Sequence, residues 1–227
     1  MAFILEQFIA DHSIQIGVED VVRQMPFGNM WQKIRVGVRC AVSSCFAGVP
    51  GVGMRLGFST GTATKNNPTD VVWVENWVGN NPGFGTSGAN AYVDTNSSGY
   101  SALAIQKVGT AAQVTIGNWT ATYCALSCTP GLHSMMFFDI DRGTVGAASI
   151  TYRVWHMTTT QVLTDATRNA YLLALENEAA PTNLNSGSAY TQNLPLRFTK
   201  DWTHAFVGWT ASSPTLNVYD FSVIRFY

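Results

Sequence analysis

Hydrophobic and polar positions alternate through most of this chain. The alternation is regular over residues 31–43, and residues 70–78 form a run of β-branched and aromatic side chains. Such patterns are typical of β-strands, in which successive side chains lie on opposite faces. Further runs of this kind occupy residues 54–59, 100–108, 112–123, 133–140, 147–157, 203–209 and 217–227. Spacers rich in Gly, Asn, Ser and Pro separate them, which favours an antiparallel sandwich or barrel.

One segment departs from this pattern and predicts a helix over residues 165–178. Thr164 and Thr167 offer N-cap side chains, Asp165 makes the first turn acidic, and good helix formers follow up to Pro181. At helical spacing, one stripe of this segment is apolar and predicts its packing side: Ala166, Ala170, Leu173 and Ala174. A single helix among hairpins most often caps an open end of a sandwich, and we expect it there.

The N-terminal segment, residues 1–30, admits two interpretations. Its first ten residues contain an apolar group made of Phe3, Ile4, Leu5, Phe8 and Ile9, and alternation resumes at Ile14 and Ile16. The segment is either the first strand of the core or an arm that docks on a neighbouring subunit, in which case the apolar group forms a subunit interface. Residues 31–227 then make a single β-sandwich domain.

The fraction of charged residues is low compared with the fraction of hydrophobic residues. Hydrophobic residues account for 46% and charged residues for 12%, whereas about a quarter of an average soluble domain is charged. A net charge of −1 with scattered basic residues argues against nucleic acid as a partner. The pair Lys33 and Arg35, on either side of Ile34, indicates one polar strand face.

Targeting signals are not visible. No apolar run approaches the roughly 20 residues that span a bilayer, and Glu6 interrupts the apolar stretch where a signal peptide would need its core. We therefore expect no membrane span, and synthesis in the cytoplasm without a signal peptide.

The four cysteines, Cys40, Cys45, Cys124 and Cys128, have spacings that do not match the usual zinc pairs. Their neighbours are small or apolar, which predicts buried, reduced thiols, with disulfides or a metal site as the alternatives. No cofactor is expected.

Two acidic residues could carry chemistry. On a strand, Asp139 and Asp141 lie on one face about 7 Å apart, and Arg142 and Gly143 follow directly. The arrangement indicates a hairpin turn in the first place, with a bound cation or a glycosidase-like carboxylate pair as alternatives.

Two tryptophans are candidates for ligand contact. Trp73 and Trp77 fall on one face of a regular strand. Indole side chains most often pack in a core, but an exposed pair would stack on sugar rings.

The C-terminal stretches 202–209 and 216–227 resemble the closing strands of concanavalin A-like and laminin G-like jelly-roll sandwiches, which often end on an Asp, an alternating apolar strand and a terminal Tyr. The resemblance implies a jelly-roll sandwich. Together with the strand pattern, the predicted helix and the N-terminal segment, it gives the predicted fold: all-β, an antiparallel jelly-roll β-sandwich with one short helix and an N-terminal arm. The composition, rich in Thr, Asn and Gly, is similar to that of structural proteins of tailed-phage virions.

These observations predict a non-enzymatic structural protein of a multi-subunit particle, such as a capsid-decoration or tail component of a phage-like virion. Its partners would be other copies of itself and other particle proteins, and its location the assembled particle. The alternative is a carbohydrate-binding or adhesion module on the same lectin-like fold, with surface glycans as ligands.

Overall fold

The computed structural model describes fourteen segments of the 227-residue chain, namely residues 3–16, 21–26, 31–42, 53–59, 71–77, 88–94, 105–108, 111–119, 133–143, 148–157, 164–178, 184–194, 203–209 and 216–227. These residues form thirteen strands and one helix. The strands are β1 (Phe3–Ile16), β2 (Val21–Pro26), β3 (Lys33–Val42), β4 (Gly53–Ser59), β5 (Val71–Trp77), β6 (Gly88–Asp94), β7 (Ile105–Val108), β8 (Ala111–Trp119), β9 (Ser134–Asp141), β10 (Ala148–Met157), β11 (Leu184–Leu194), β12 (His204–Trp209) and β13 (Leu216–Phe226), and the helix is α1 (Asp165–Asn177).

The strands form two antiparallel sheets. One has six strands in the order β1-β13-β3-β9-β10-β11, and the other has seven in the order β2-β12-β4-β5-β6-β8-β7. The first and last strands of the chain are neighbours in the six-stranded sheet. This arrangement confirms the predicted antiparallel jelly-roll sandwich with a short helix.

One face of each sheet contributes to the core between the two sheets. Phe138 on β9 stacks against Phe58 on β4, with 6.0 Å between the ring centroids. Val36 pairs with Phe138 across β3 and β9, and alternate positions on these strands are likewise buried and apolar: Ile34, Val38, Met136 and Ile140. Burial of each such side chain contributes roughly 1.5–3 kcal/mol, which explains why the apolar positions of β3 alternate.

The helix predicted over residues 165–178 is confirmed as α1, but it packs on the other face of the six-stranded sheet and not at an open end of the sandwich. Thr164 is its N-cap, and its hydroxyl accepts a hydrogen bond of 3.3 Å from the backbone N–H of Thr167, which closes a reciprocal capping box. The helix ends at Glu178, a left-handed C-cap with φ of 61°.

The side of α1 that contacts the sheet differs from the predicted stripe. The buried residues are Thr167, Tyr171, Ala174 and Leu175, whereas Ala166 is exposed and Leu173 is 59% exposed. Two stripes of the helix overlap at Ala174, and the one that packs on the sheet carries the larger side chains, Tyr171 and Leu175. Contact with Met135, Phe137, Met157, Ile224 and Phe226 then covers Tyr171 and Leu175.

A close approach between β3 and α1 depends on Gly37. A Cβ atom at this position would lie 2.7 Å from Leu175 Cδ1 and 2.9 Å from Tyr171 Oη. Real Cβ atoms do not come this close to other heavy atoms, so the helix rests directly on the backbone of β3.

The N-terminal segment contributes to both sheets, through β1 in the six-stranded sheet and β2 in the seven-stranded sheet. Strand β1 pairs with β13 from Phe3 opposite Phe226 to Ile16 opposite Leu216. Leu5 packs against the residues beneath α1. The segment is therefore placed as a strand of the chain's own sheet, and its predicted contact with another subunit stays a prediction. No helix among the described residues has the length and apolar character to cross a membrane.

Candidate functional site

The predicted acidic pair is divided between two different environments, and the first is an ion pair beneath α1. Asp139 is 2% exposed. Its two carboxylate oxygens accept hydrogen bonds from Nε and Nη2 of Arg35, each 2.8 Å long. Arg153 Nη2 lies 3.4 Å from Asp139 Oδ1, and Lys33 Nζ lies 3.3 Å from Oδ2. This bidentate pair fixes both side chains in one geometry.

Electrostatics in this cluster favour the ionised carboxylate. Burial opposes ionisation of Asp139, but the charge and hydrogen bonds of Arg35, with the charges of Arg153 and Lys33, outweigh it and lower the pKa of Asp139. Burial likewise opposes the charge of Arg35, and Asp139 and Glu178 outweigh it, so the pKa of Arg35 is raised. For Arg153 burial prevails and its pKa is lowered, although Asp139 acts in the opposite direction.

The same cations hold the C-terminal end of α1. Arg35 donates to the backbone carbonyl of Leu175, and Arg153 donates to that of Ala174 over 3.5 Å. Glu178 accepts from Arg35 and, over 2.6 Å, from Lys33. The last turn of α1 has no basic residue of its own, so the sheet supplies the positive charge that the helix dipole favours at this end. The contacts of this cluster attach the C-terminal end of α1 to the six-stranded sheet.

Asp141 forms a turn. Its Oδ1 accepts a hydrogen bond of 2.8 Å from the backbone N–H of Gly143 and one of 3.3 Å from the side chain of Gln32. Gly143 has φ of 66°, which favours glycine there. This is the hairpin turn predicted from Asp141, Arg142 and Gly143. A cation at Asp139 and Asp141 stays a prediction, and the described residues contain no group of three His, Cys, Asp or Glu side chains that could hold a metal ion.

A second buried ion pair lies under the N-terminal half of α1. Arg39 and Asp220 are both 0% exposed, and Arg39 Nε lies 2.5 Å from Asp220 Oδ2. Arg39 also donates to the hydroxyl of Thr167 over 3.4 Å. Burial raises the pKa of Asp220, although Arg39 opposes this shift.

The polar strand face predicted from Lys33 and Arg35 is therefore covered by α1. The sequence analysis did not anticipate that this face is buried. A signal was present in the charged residues set within the apolar strands β3 and β9, since an ionised side chain in such a strand requires a partner.

The candidate tryptophans lie on a different face of the molecule. Phe58 faces the other sheet and pairs with Val72 in register, so residues 73, 75 and 77 of β5 occupy the opposite face of the seven-stranded sheet. We call this the outer face and define it by register positions on β4, β5 and β6: Arg55, Gly57, Trp73, Glu75, Trp77, Asn90 and Tyr92. The structure thus places both tryptophan positions away from the core between the sheets.

The cross-strand partners of these tryptophans follow a pattern. Trp73 is opposite Gly57 on β4 and Tyr92 on β6. Trp77 is opposite Gly53 on β4 and Gly88 on β6. A glycine has no side chain of its own on this face. Gly57 is nevertheless buried, and its register partner on β12, Phe206, is 4% exposed, so the two glycines that leave the sheet surface without a side chain are Gly53 and Gly88, beside Trp77.

A polar row lies between the two tryptophan positions. Glu75 on β5 pairs in register with Arg55 on β4 and with Asn90 on β6. Carboxylate, guanidinium and amide groups supply both donors and acceptors of hydrogen bonds. The sequence analysis identified the tryptophans but not this row, because its members are brought together by the pairing of three separate strands.

Among the predicted thiols, Cys40 is buried, is not in a disulfide, and has its pKa raised by burial. Cys45, Cys124 and Cys128 lie outside the described residues, so their predicted state stays a prediction.

Comparison with known proteins shows the fold and no family. No protein-family model matches the chain, and no curated protein has a significantly similar sequence. The marine PL-14 alginate lyase from Aplysia kurodai superposes with a TM-score of 0.50 at 13% identity, covering 94% of this chain and 81% of the lyase. Peanut lectin, in complex with a nine-residue peptide, superposes with a TM-score of 0.50 at 7% identity, covering 99% of this chain and 97% of the lectin. The chain therefore has a concanavalin A-like jelly-roll fold.

Proposed function

We propose that this chain is a carbohydrate-binding module and that its ligand binds on the outer face of the seven-stranded sheet. The observation that carries the proposal is the register of β4, β5 and β6. This register gives Trp73, Trp77 and Tyr92 positions on one face, around the polar row. The jelly-roll fold that the chain shares with a lectin and with an alginate lyase supports the same conclusion.

The chemistry of this face suits a sugar. A pyranose ring has an apolar face of C–H groups and a rim of hydroxyls, so it pairs an aromatic surface with nearby donors and acceptors. The tryptophan positions would supply the aromatic surface. Glu75, Asn90 and Arg55 would supply the hydrogen bonds, since a carboxylate accepts, a guanidinium donates and an amide does both.

The glycines opposite the tryptophan positions fit this role. A ligand ring that stacks on an indole needs room beside it, and the strands on either side of Trp77 carry no side chain at Gly53 and Gly88. A row of bulky residues there would fill that space. The low charged fraction of the chain, 12%, is consistent with a ligand that is held mainly by stacking and hydrogen bonds.

Within this proposal the chain binds without cleaving. Asp139 is enclosed beneath α1 in an ion pair with Arg35, and Asp141 holds a hairpin turn. Both acids belong to the six-stranded sheet. Incubation of the purified chain with each polysaccharide it binds should release no new reducing ends, and time-dependent release that Trp73→Ala abolishes would contradict a purely binding role.

The structural role in a virion-like particle stays a prediction from composition. The apolar segment that suggested an interface, Phe3 to Ile9, is paired with β13 of the same chain. Sizing of the purified chain would test self-association independently of glycan binding.

The proposal is tested with a polysaccharide and oligosaccharide array probed by the full chain and by the variants Trp73→Ala and Trp77→Ala. We expect binding to a subset of glycans that each variant weakens by about tenfold or more, because a stacked ring is lost. Leu173→Ala, an exposed position on α1, serves as the control and should bind as the unmodified chain does. Glycan binding that both tryptophan variants retain in full, at unchanged melting temperature, would place the ligand elsewhere.

A further inference from the structure

The outer face has few positively charged positions. In the described strands of the seven-stranded sheet, one basic residue has a register position on this face, namely Arg55. The acidic positions on the same face are Glu75 and Asp94, which lies two residues beyond Tyr92 on β6. The described positions therefore carry one formal positive and two formal negative charges.

Arg55 is also matched by a carboxylate. It is the direct cross-strand partner of Glu75, and opposite charges at such a pair attract. The register pair is formally neutral, so with Asp94 the described positions of this face carry a net charge of −1, which disfavours a negatively charged ligand.

Other cations of the chain are engaged on the opposite side of the sandwich. Five of its 13 lysines and arginines lie beneath or on α1, in ion pairs with Asp139, Asp220 or Glu178. They are Lys33, Arg35, Arg39, Arg153 and Arg168. These side chains hold the helix, so they are not placed to bind a ligand on the outer face.

Glu75 occupies the centre of the proposed site. It lies between Trp73 and Trp77 on β5, about 7 Å from each along the strand. A carboxylate there accepts hydrogen bonds from sugar hydroxyls, and it repels the carboxylate of a uronic acid. Asp94 adds to this repulsion.

We infer that the outer face selects neutral glycans and rejects polyuronates, and that Glu75 is the specificity-determining residue. The inference rests on the proposed function. It separates the ligand of this chain from that of the alginate lyase with the same fold, since alginate carries a carboxylate on every sugar unit.

The test compares neutral polysaccharides (glucan, mannan, galactan and xylan) with two polyuronates, alginate and polygalacturonate. The full chain should bind at least one neutral polymer, with an affinity that changes by less than about twofold between low and high salt, because the contact is not ionic. Glu75→Gln keeps the shape and removes the charge, and should raise the affinity for polyuronates relative to neutral polymers by about threefold or more.

Two further variants make the result interpretable. Glu176→Gln removes the same charge on α1, remote from the site, and should leave the ratio unchanged. Asp94→Asn should shift the ratio in the same direction as Glu75→Gln, which covers the case that the latter does not fold. The inference would be overturned if the unmodified chain bound polyuronates most tightly. It would also be overturned if neither Glu75→Gln nor Asp94→Asn changed the ratio of polyuronate to neutral-polymer affinity. In both cases the proposed function would stand. No glycan binding at all would overturn both.

Discussion

The guanidinium of Arg35 binds both Asp139 and the C-terminal end of α1. It donates two hydrogen bonds of 2.8 Å to the Asp139 carboxylate and one to the backbone carbonyl of Leu175. The ion pair and the helix attachment therefore depend on each other. If Asp139 is neutralised, Arg35 and Arg153 become buried cations with less compensation.

The first prediction concerns this pair. Asp139→Asn should lower the free energy of unfolding by about 3–5 kcal/mol, because breaking one partner leaves the other charge buried and uncompensated. Denaturant unfolding monitored by circular dichroism measures the change. Asp165→Asn, the same chemical change at an exposed position of α1, is the control and should alter stability by no more than about 0.5–1 kcal/mol. Equal effects of the two substitutions would contradict the role of the buried pair.

The second prediction concerns pH. The pKa of Asp139 is lowered in the folded chain, so its contribution to stability is present above the pKa of about 3.9 in the unfolded chain and is lost as pH falls through the folded value. Glu178, whose pKa is lowered by the hydrogen bond from Lys33 and the charge of Arg35 against the effect of burial, acts in the same direction. Asp220 acts in the opposite direction, since burial raises its pKa.

We therefore expect the melting temperature of the unmodified chain to fall as the pH is lowered below about 4. The fall should be shallower in Asp139→Asn, which lacks the titrating group. Parallel melting curves for the two proteins across this range would contradict the assignment.

The third prediction concerns Gly37. Gly37→Ala places a methyl group within 2.7 Å of Leu175 Cδ1 and should destabilise the fold by about 1–3 kcal/mol through displacement of α1. Leu175→Ala alone should also be destabilising, because it leaves a cavity. The double variant Gly37→Ala/Leu175→Ala should cost less than the sum of the single changes, since the removed side chain makes the shortest of the clashes. Strict additivity in denaturant unfolding would show that the two residues are not in contact.

The fourth prediction concerns β1. Leu5→Ala should lower the free energy of unfolding of the dissociated chain by about 1–2 kcal/mol, because Leu5 packs beneath α1. Leu173→Ala changes the same residue type at a position that is 59% exposed and should have little effect. If Leu5 contacted another subunit and not its own core, Leu5→Ala would alter self-association and leave the melting temperature of the dissociated chain unchanged.

The helix and most of the strands were predictable from the sequence because their signals are local. Strands β6 (Gly88–Asp94) and β11 (Leu184–Leu194) lie in stretches where no strand was predicted. The alternation around Val36 and Val38 reflects the two faces of a strand, and the capping residues Thr164 and Thr167 act on the backbone of their own turn. The turn at Asp141 and Gly143 is equally local.

Which faces are covered, and which strands become neighbours, was decided by the tertiary structure. The pattern distinguishes the two faces of β3, but only the docking of α1 shows that Arg35 lies inside, and only packing selects Tyr171 over Leu173 for the contact. The polar row of Arg55, Glu75 and Asn90 depends on the register between three successive strands, which no pattern within a single strand determines. Alternation and capping are properties of a few consecutive residues, whereas burial and cross-strand neighbours arise from contacts between segments far apart in the chain.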